Sequence, residues 1–127
     1  MLQRGDLVPH FDVRNLDNEP VSYSTVWQRR NLVLVALADV ACDPCTSYLS
    51  ELTALIPALA AQNAECVITR DGVAGLSSPG VLVADRWGEI VYIAAMPDVA
   101  ELPSPGELLE WASYVQTQCP ECEGEAR

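Results

Sequence analysis

The chain has 127 residues, 50% of them hydrophobic and 20% charged, with a formal net charge of −11. That is the size and polarity of one domain around a single core, and its wealth of Leu, Ile, Val and Ala argues against intrinsic disorder. A basic footprint for nucleic acid is missing, the acidity opposes anionic lipid, and no apolar run reaches the ~20 residues of a bilayer span.

Acids crowd the C-terminal third. Up to Gly88, ten acids face six arginines, whereas Glu89 to Ala126 holds eight acids and no base. This reads as a solubilising surface. The start, Met1 to Asp6, lacks the charged-then-apolar pattern of a secretory signal, so a cytoplasmic location is expected.

In chain order, Val8 to Val13 and Val21 to Tyr23 flank an Asn/Asp turn cluster, which predicts a small hairpin. Ser24 is placed to cap a short helix through Gln28, with Trp27 as its apolar anchor. Asn31 to Ala38 is a continuous aliphatic run, the pattern of a strand buried on both faces. Cys45, Leu49, Leu52, Ile56 and Leu59 then recur at helical spacing, and Pro57 should kink that helix near Thr53 or end it there. Glu65 to Thr69 reads as a second buried strand, followed by a Gly/Ser loop over residues 71–78.

Gly80–Asp85 and Glu89–Ala94 flank Arg86-Trp87-Gly88, a strong hairpin signal with Gly88 free to take a positive φ. Ser104-Pro105-Gly106-Glu107 is a capping box opening the last helix. Leu108, Ala112, Val115 and Cys119 share one face of it, and Pro120 stops it. The sum is an α/β domain over residues 1–118, with a mixed sheet covered on both faces, and an acidic tail over 119–127.

Four of the five cysteines form two Cys-x-x-Cys pairs, Cys42-Asp43-Pro44-Cys45 and Cys119-Pro120-Glu121-Cys122. Such tight pairs with an odd cysteine left over do not suit a secreted disulfide framework, which leaves redox chemistry or metal. Residues three apart on a helix lie about 5–6 Å apart at Cα, within disulfide range. Cys42 falls at or near the N-cap, where unpaired N–H groups and the helix dipole favour a thiolate, and Cys45, one turn in, is the natural resolving thiol. Asp43 opposes the thiolate, so Cys42 should be a weaker acid than a neutral neighbour would make it.

A buried strand, a Cys-x-Pro-Cys opening a helix, and Ser78-Pro79 entering a hairpin together resemble the thioredoxin-like superfamily. The redoxin branch, which includes the alkyl hydroperoxide reductase/thiol-specific antioxidant family, is the closer match. Gly5-Asp6-Leu7-Val8-Pro9-His10-Phe11 looks like its entry motif, and Pro79 to Tyr92 like its cis-proline and hairpin. The resemblance covers about residues 5 to 117. It implies a thioredoxin-like mixed sheet sandwiched by helices, with an N-terminal β-hairpin. It implies attack by Cys42 and resolution by Cys45. It also implies a cis peptide bond at Pro79, where Ser78 and Pro79 offer backbone to an extended substrate.

There are departures from the family pattern. Ala36 stands where thioredoxins bury an acid, so Asp39 or a water would have to serve as proton acceptor. The stretch from Ile68 to Ser78 is short for the usual intervening helix. Peroxiredoxins place a proline and a threonine or serine seven and three residues before the attacking cysteine; here those positions hold Val35 and Asp39. The leading reading is thiol–disulfide exchange with protein or small-molecule thiols and disulfides, without a cofactor. A peroxiredoxin-type thiol peroxidase and a non-catalytic interaction or zinc-binding module are the alternatives.

Cys119 and Cys122 look like half of a zinc site. About 13 helical residues at ~1.5 Å each put Cys119 ~20 Å from the Cys42 end, so one intrachain Cys₄ site is not expected. Cys119 ends a helix, where the dipole and the nearby Glu121 and Glu123 disfavour a thiolate. Cys66 reads as a small buried hydrophobe, His10 as a surface or packing residue, and Trp87 as the cover of its hairpin.

Overall fold

The computed structural model describes residues 1–117. The tail pair Cys119/Cys122, the expected boundary after residue 118 and the zinc half-site lie outside the described residues. Two short strands come first, β1 (Asp12–Arg14) and β2 (Pro20–Ser22), then a 3-10 turn over Tyr23–Thr25. They are followed by β3 (Asn31–Ala36), α1 (Asp43–Ala61), β4 (Ala64–Thr69), β5 (Gly80–Ala84) and β6 (Ile90–Ala95). A second 3-10 turn, Val99–Glu101, leads into α2 (Pro105–Thr117).

The main sheet has the order β4-β3-β5-β6, with β3 parallel to β4 and antiparallel to β5. Every residue of β3 is buried, as its unbroken aliphatic run requires of a central strand. Val33 and Val35 face a core shared with Leu52 and Leu59 of α1 and Leu108 and Ala112 of α2. Leu32 and Leu34 face the opposite core, built with Phe11, Val13, Tyr23 and Val26. Each such fully buried Leu or Val contributes about 1.5–3 kcal/mol.

The sheet is mixed and covered on both faces, as expected, but α1 and α2 lie on the same face. The other face is closed by the N-terminal hairpin, the first 3-10 turn and the segment after β4. No helix intervenes between β4 and β5 among the described residues. That segment is also less polar than a Gly/Ser loop suggests, since Val73 and Leu76 are buried and bridge to each other.

Three further expectations are corrected. The strand predicted through Ala38 ends at Ala36. The helix α1 does not end at Pro57 but runs unbroken for 19 residues. Thr53 and Pro57 lie on its exposed side, where water can take the carbonyl that lost its N–H partner, while Leu52 and Leu59 hold the helix to the core. The short helix expected from Ser24 is a 3-10 turn beginning at Tyr23, and Tyr23 and Val26 anchor it in place of Trp27, which is 36% exposed.

Polar side chains tie the layers at their ends. Asn31 Nδ2 donates to the Gln62 carbonyl at 3.2 Å and to Gln116 Oε1 at 3.0 Å, joining the start of β3 to both helices. The Thr69 hydroxyl donates to the Arg14 carbonyl at 2.7 Å, which docks the N-terminal hairpin on the end of β4. The β5–β6 turn forms as predicted: Asp85 Oδ1 accepts from Trp87 N and Glu89 N, and Gly88 takes φ +87°. Half of the predicted capping box is present, with Ser104 Oγ accepting from Glu107 N at 3.2 Å; a return bond to the Glu107 carboxylate is absent among the described residues.

Tyr23 is almost fully buried, yet its hydroxyl has no hydrogen-bond partner among the described residues. A buried donor left unpaired costs about 1–3 kcal/mol. Tyr23→Phe should therefore be neutral or stabilising by about 1 kcal/mol in urea unfolding. A loss of stability of that size would mean the hydroxyl is bonded after all.

Candidate active site

The chain leaves the middle of the sheet at Ala36, crosses Leu37 to Ala41 and enters α1 at Cys42. Cys42 is the N-cap, with an extended backbone (φ −68°, ψ 156°), and Pro44 sits in the first turn with its fixed φ. Cys42 Sγ accepts from the Cys45 backbone N–H at 3.1 Å, so the sulfur itself satisfies one of the helix's free donors. The two cysteines form a disulfide, with Cα atoms 5.0 Å apart. This is the pair and the placement expected from spacing.

The two sulfurs differ in access. Cys45 is buried against the α1–α2 core, 1% exposed, whereas Cys42 is half-buried. Both line a shallow hollow of about 230 Å³ with Leu37, Ala38, Asp39, Ser78, Pro79, Pro97, Asp98 and Val99. The Ser78–Pro79 peptide bond is cis, and Pro79 stands in the same hollow as the dithiol, both as expected. The Ser78 hydroxyl is turned to the protein: it accepts from Ala38 N at 2.8 Å and donates to the Ala36 carbonyl at 3.3 Å. It thereby fixes the Pro79 segment to the end of β3, on the level of the sulfurs.

Ala36 is buried in β3 and offers no acid. Asp39 supplies one nearby: one of its carboxylate oxygens and the two cysteine sulfurs all lie within 4.8 Å of one another. Its Oδ1 accepts from Ala41 N at 2.9 Å, which holds the carboxylate over the turn. Sequence reasoning missed the far wall, Pro97 to Val99. Asp98 is the N-cap of a 3-10 turn, accepting from Ala100 N at 3.1 Å, and that local signal was readable; its place in the hollow with Cys45 depends on the path of the chain after the edge strand β6.

The remaining candidates lie elsewhere. His10 is exposed and packs on Tyr23 and Trp27, with ring centroids 5.2 and 4.9 Å away. Trp87 is 45% exposed at its hairpin tip, and its carbonyl accepts from Trp27 Nε1 at 3.2 Å.

Cys66 on β4 packs against the edge of the α1–α2 core. Burial, and then the charge of Glu65, push its thiol up from 9.0 to about 12. A thiol held so high is protonated near neutrality and is not a nucleophile. Burial likewise raises Tyr23, from 10.0 to about 12, with Asp85 adding to it. Both groups keep a proton in the folded state that the unfolded chain releases. Their contribution is fully present below pH 9 and is lost as pH rises towards 12. The urea midpoint should therefore fall through that alkaline range, and less steeply in Cys66→Ala. A midpoint that stays level there would contradict these environments.

A redox-bridged pair with one accessible sulfur, at the start of a helix that leaves the centre of a mixed sheet, defines a thiol oxidoreductase of thioredoxin-like fold. Residues 4–78 match the AhpC/TSA family, and the chain belongs to it. The fold is similar to the reduced 2-Cys peroxiredoxin of Plasmodium vivax (TM-score 0.74, 13% identity, covering 92% of this chain and 83% of that one). It is also similar to a thioredoxin-family thiol:disulfide interchange protein from Chlorobium tepidum (TM-score 0.65, 12% identity, 91% and 99% covered). A third is the thioredoxin domain of a thiol-disulfide oxidoreductase from Bacteroides vulgatus (TM-score 0.62, 15% identity, 91% and 99% covered). At these identities the likeness speaks for the fold. No curated protein matches the chain.

Proposed function

We propose that the chain catalyses thiol–disulfide exchange, with Cys42 as the attacking thiol and Cys45 as the resolving one. The observation that carries this reading is the asymmetry of the bridged pair. Cys42 is accessible and receives the Cys45 N–H on its sulfur, while Cys45 is sealed behind it. In the reduced state that N–H favours a thiolate on Cys42. The thiolate attacks one sulfur of a substrate disulfide and forms a mixed disulfide, and the other substrate sulfur leaves and takes a proton. Cys45, losing its proton, then attacks Cys42 Sγ and releases the second substrate thiol. Substrate backbone would lie along Ser78 and Pro79, which line the same hollow.

A peroxidase reading has the family match in its favour. The positions seven and three before Cys42 speak against it: Val35 is buried within β3, and Asp39 presents a carboxylate where peroxide would need a hydroxyl donor. Partners under our reading are protein or small-molecule disulfides. A cytoplasmic setting, where thiol reductants abound, would recycle the pair. Insulin reduction coupled to dithiothreitol tests the proposal. Acceleration over buffer is expected, with slower turnover of hydrogen peroxide in the same buffer. Folded protein with no acceleration would remove the enzymatic reading, and peroxide turnover exceeding disulfide turnover would exchange the two.

A further inference from the structure

The geometry points to a second role for the same dithiol: in its reduced form, Cys42, Cys45 and Asp39 make a redox-gated site for a zinc-class divalent cation. Two sulfurs and one carboxylate oxygen, all within 4.8 Å of one another, are three donors from a single short segment. Zinc binds thiolates at about 2.3 Å and carboxylate oxygens at about 2.0–2.2 Å, which sets tetrahedral donors roughly 3.3–3.8 Å apart. Reaching that spacing needs the disulfide to open and the exposed Asp39 side chain to close by about an ångström, within a χ rotation. Hard cations such as calcium and magnesium prefer all-oxygen cages, so the sulfurs select for a softer ion.

Two details prepare the donors. Asp39 Oδ1 already accepts from the Ala41 N–H, which orients the carboxylate and leaves its second oxygen for the ion. The Cys45 N–H points at Cys42 Sγ, a bond that a metal-bound thiolate keeps. Supporting bonds of this kind fix first-sphere ligands in place. Charge agrees as well. The hollow is lined by Asp39 and Asp98 and no basic residue, and Asp43 adjoins Cys42. Two thiolates there meet acids alone, and a divalent cation relieves that repulsion. Water from the hollow would supply the fourth ligand, the arrangement of an open site.

Binding is a ligand exchange without electron transfer: two Zn–S bonds and one Zn–O bond form, the waters they displace leave the ion, and each cysteine that is still a thiol releases its proton to buffer. Oxidation of the pair by a substrate disulfide, which is reduced to two thiols in the same exchange, removes both thiolates and releases the ion. The bridged form therefore has no site.

The test uses the full chain carrying Cys119→Ser and Cys122→Ser, so that the tail thiols do not compete. Zinc is titrated against a chromophoric chelator, and cobalt gives a thiolate charge-transfer band as a second readout. The reduced protein is expected to bind one zinc per chain, with the cobalt band present. Affinity should fall at least about a hundredfold in the bridged form and in Cys42→Ser, and about tenfold or more in Asp39→Asn, a size that even outer-sphere partners command. Equal binding by reduced, bridged and Cys42→Ser proteins would overturn the site, as would an unchanged affinity in Asp39→Asn. The inference shares its cysteines with the proposed exchange reaction but does not need it. A dithiol that still reduces insulin without binding zinc overturns the metal site alone; a pair that cannot be opened by dithiothreitol overturns both.

Discussion

Replacing Cys42 by serine is expected to bring disulfide reduction down to background, a fall of at least about a thousandfold, as befits loss of a nucleophile. Serine can still cap α1, because its hydroxyl accepts from the helix N–H groups as the sulfur does. The fold should therefore survive and the loss should be chemical. Replacing Cys45 instead leaves the attacking sulfur in place and removes the group that resolves it. That variant should accumulate mixed disulfides through Cys42, visible as added mass lost on treatment with dithiothreitol. The double replacement of Cys119 and Cys122 should keep most of the activity. A dead tail variant beside an active Cys42→Ser would mean that the chemistry belongs to the other end of the chain.

The largest effect on stability is expected from Gly80→Ala. Gly80 opens β5 directly after Pro79, paired with Ala36 on one side and Ala95 on the other. A Cβ there would run into the Ser77 carbonyl oxygen and lie 2.9 Å from Leu76 Cδ1. Leu76 can give a little, but the carbonyl is backbone and cannot swing aside as a side chain does. Overpacking of this kind costs about 1–3 kcal/mol, and with backbone as the obstacle the upper end applies. Thermal unfolding should drop by roughly 10 °C. Because the residues that must move carry Ser78 and Pro79, the exchange rate should fall as well. Gly106→Ala is the control: its Cβ would meet Ser104 Oγ at 3.8 Å, an ordinary contact, within the first turn of α2. That substitution should be neutral or stabilising by about 0.4–1 kcal/mol. Equal effects at the two glycines would refute the steric account.

Much of the architecture was legible because local chemistry and tertiary role agree at those places. The unbroken aliphatic run of β3, short and rich in β-branched residues, fits a central strand. Asp85 with Gly88, and Ser104 with Pro105, each carry their turn or cap in the residues themselves. Pro57 misled because its cost depends on whether water reaches the Thr53 carbonyl, which only the packed helix decides. The choice of Tyr23 over Trp27 as anchor was hidden for a similar reason. Either aromatic ring fits an apolar slot, and the three-residue turn determines which one points inward. That both helices share one face follows from the brevity of the segment after β4, a feature visible in the sequence whose consequence for layering is not local.

The site divides along the same line. Cys42 and Cys45 were readable from spacing, and Ser78-Pro79 from a family resemblance, since each is a short motif. Their meeting in one hollow depends on the pairing of β5 with β3, and the wall from Pro97 to Val99 depends on the path after β6. Asp39 was legible as a position three residues before Cys42. That its carboxylate faces both sulfurs is a property of the turn between β3 and α1, set by the bond to Ala41 N.

The most direct test of disulfide exchange at this site is a redox titration of Cys42 and Cys45. Protein equilibrated in graded dithiothreitol buffers would be trapped with an alkylating reagent and mapped by mass spectrometry. One reversible two-electron transition is expected, in which Cys42 and Cys45 change together and Cys66 remains a thiol throughout. Cys42 that stays alkylatable at every potential, or that pairs with a cysteine other than Cys45, would contradict it.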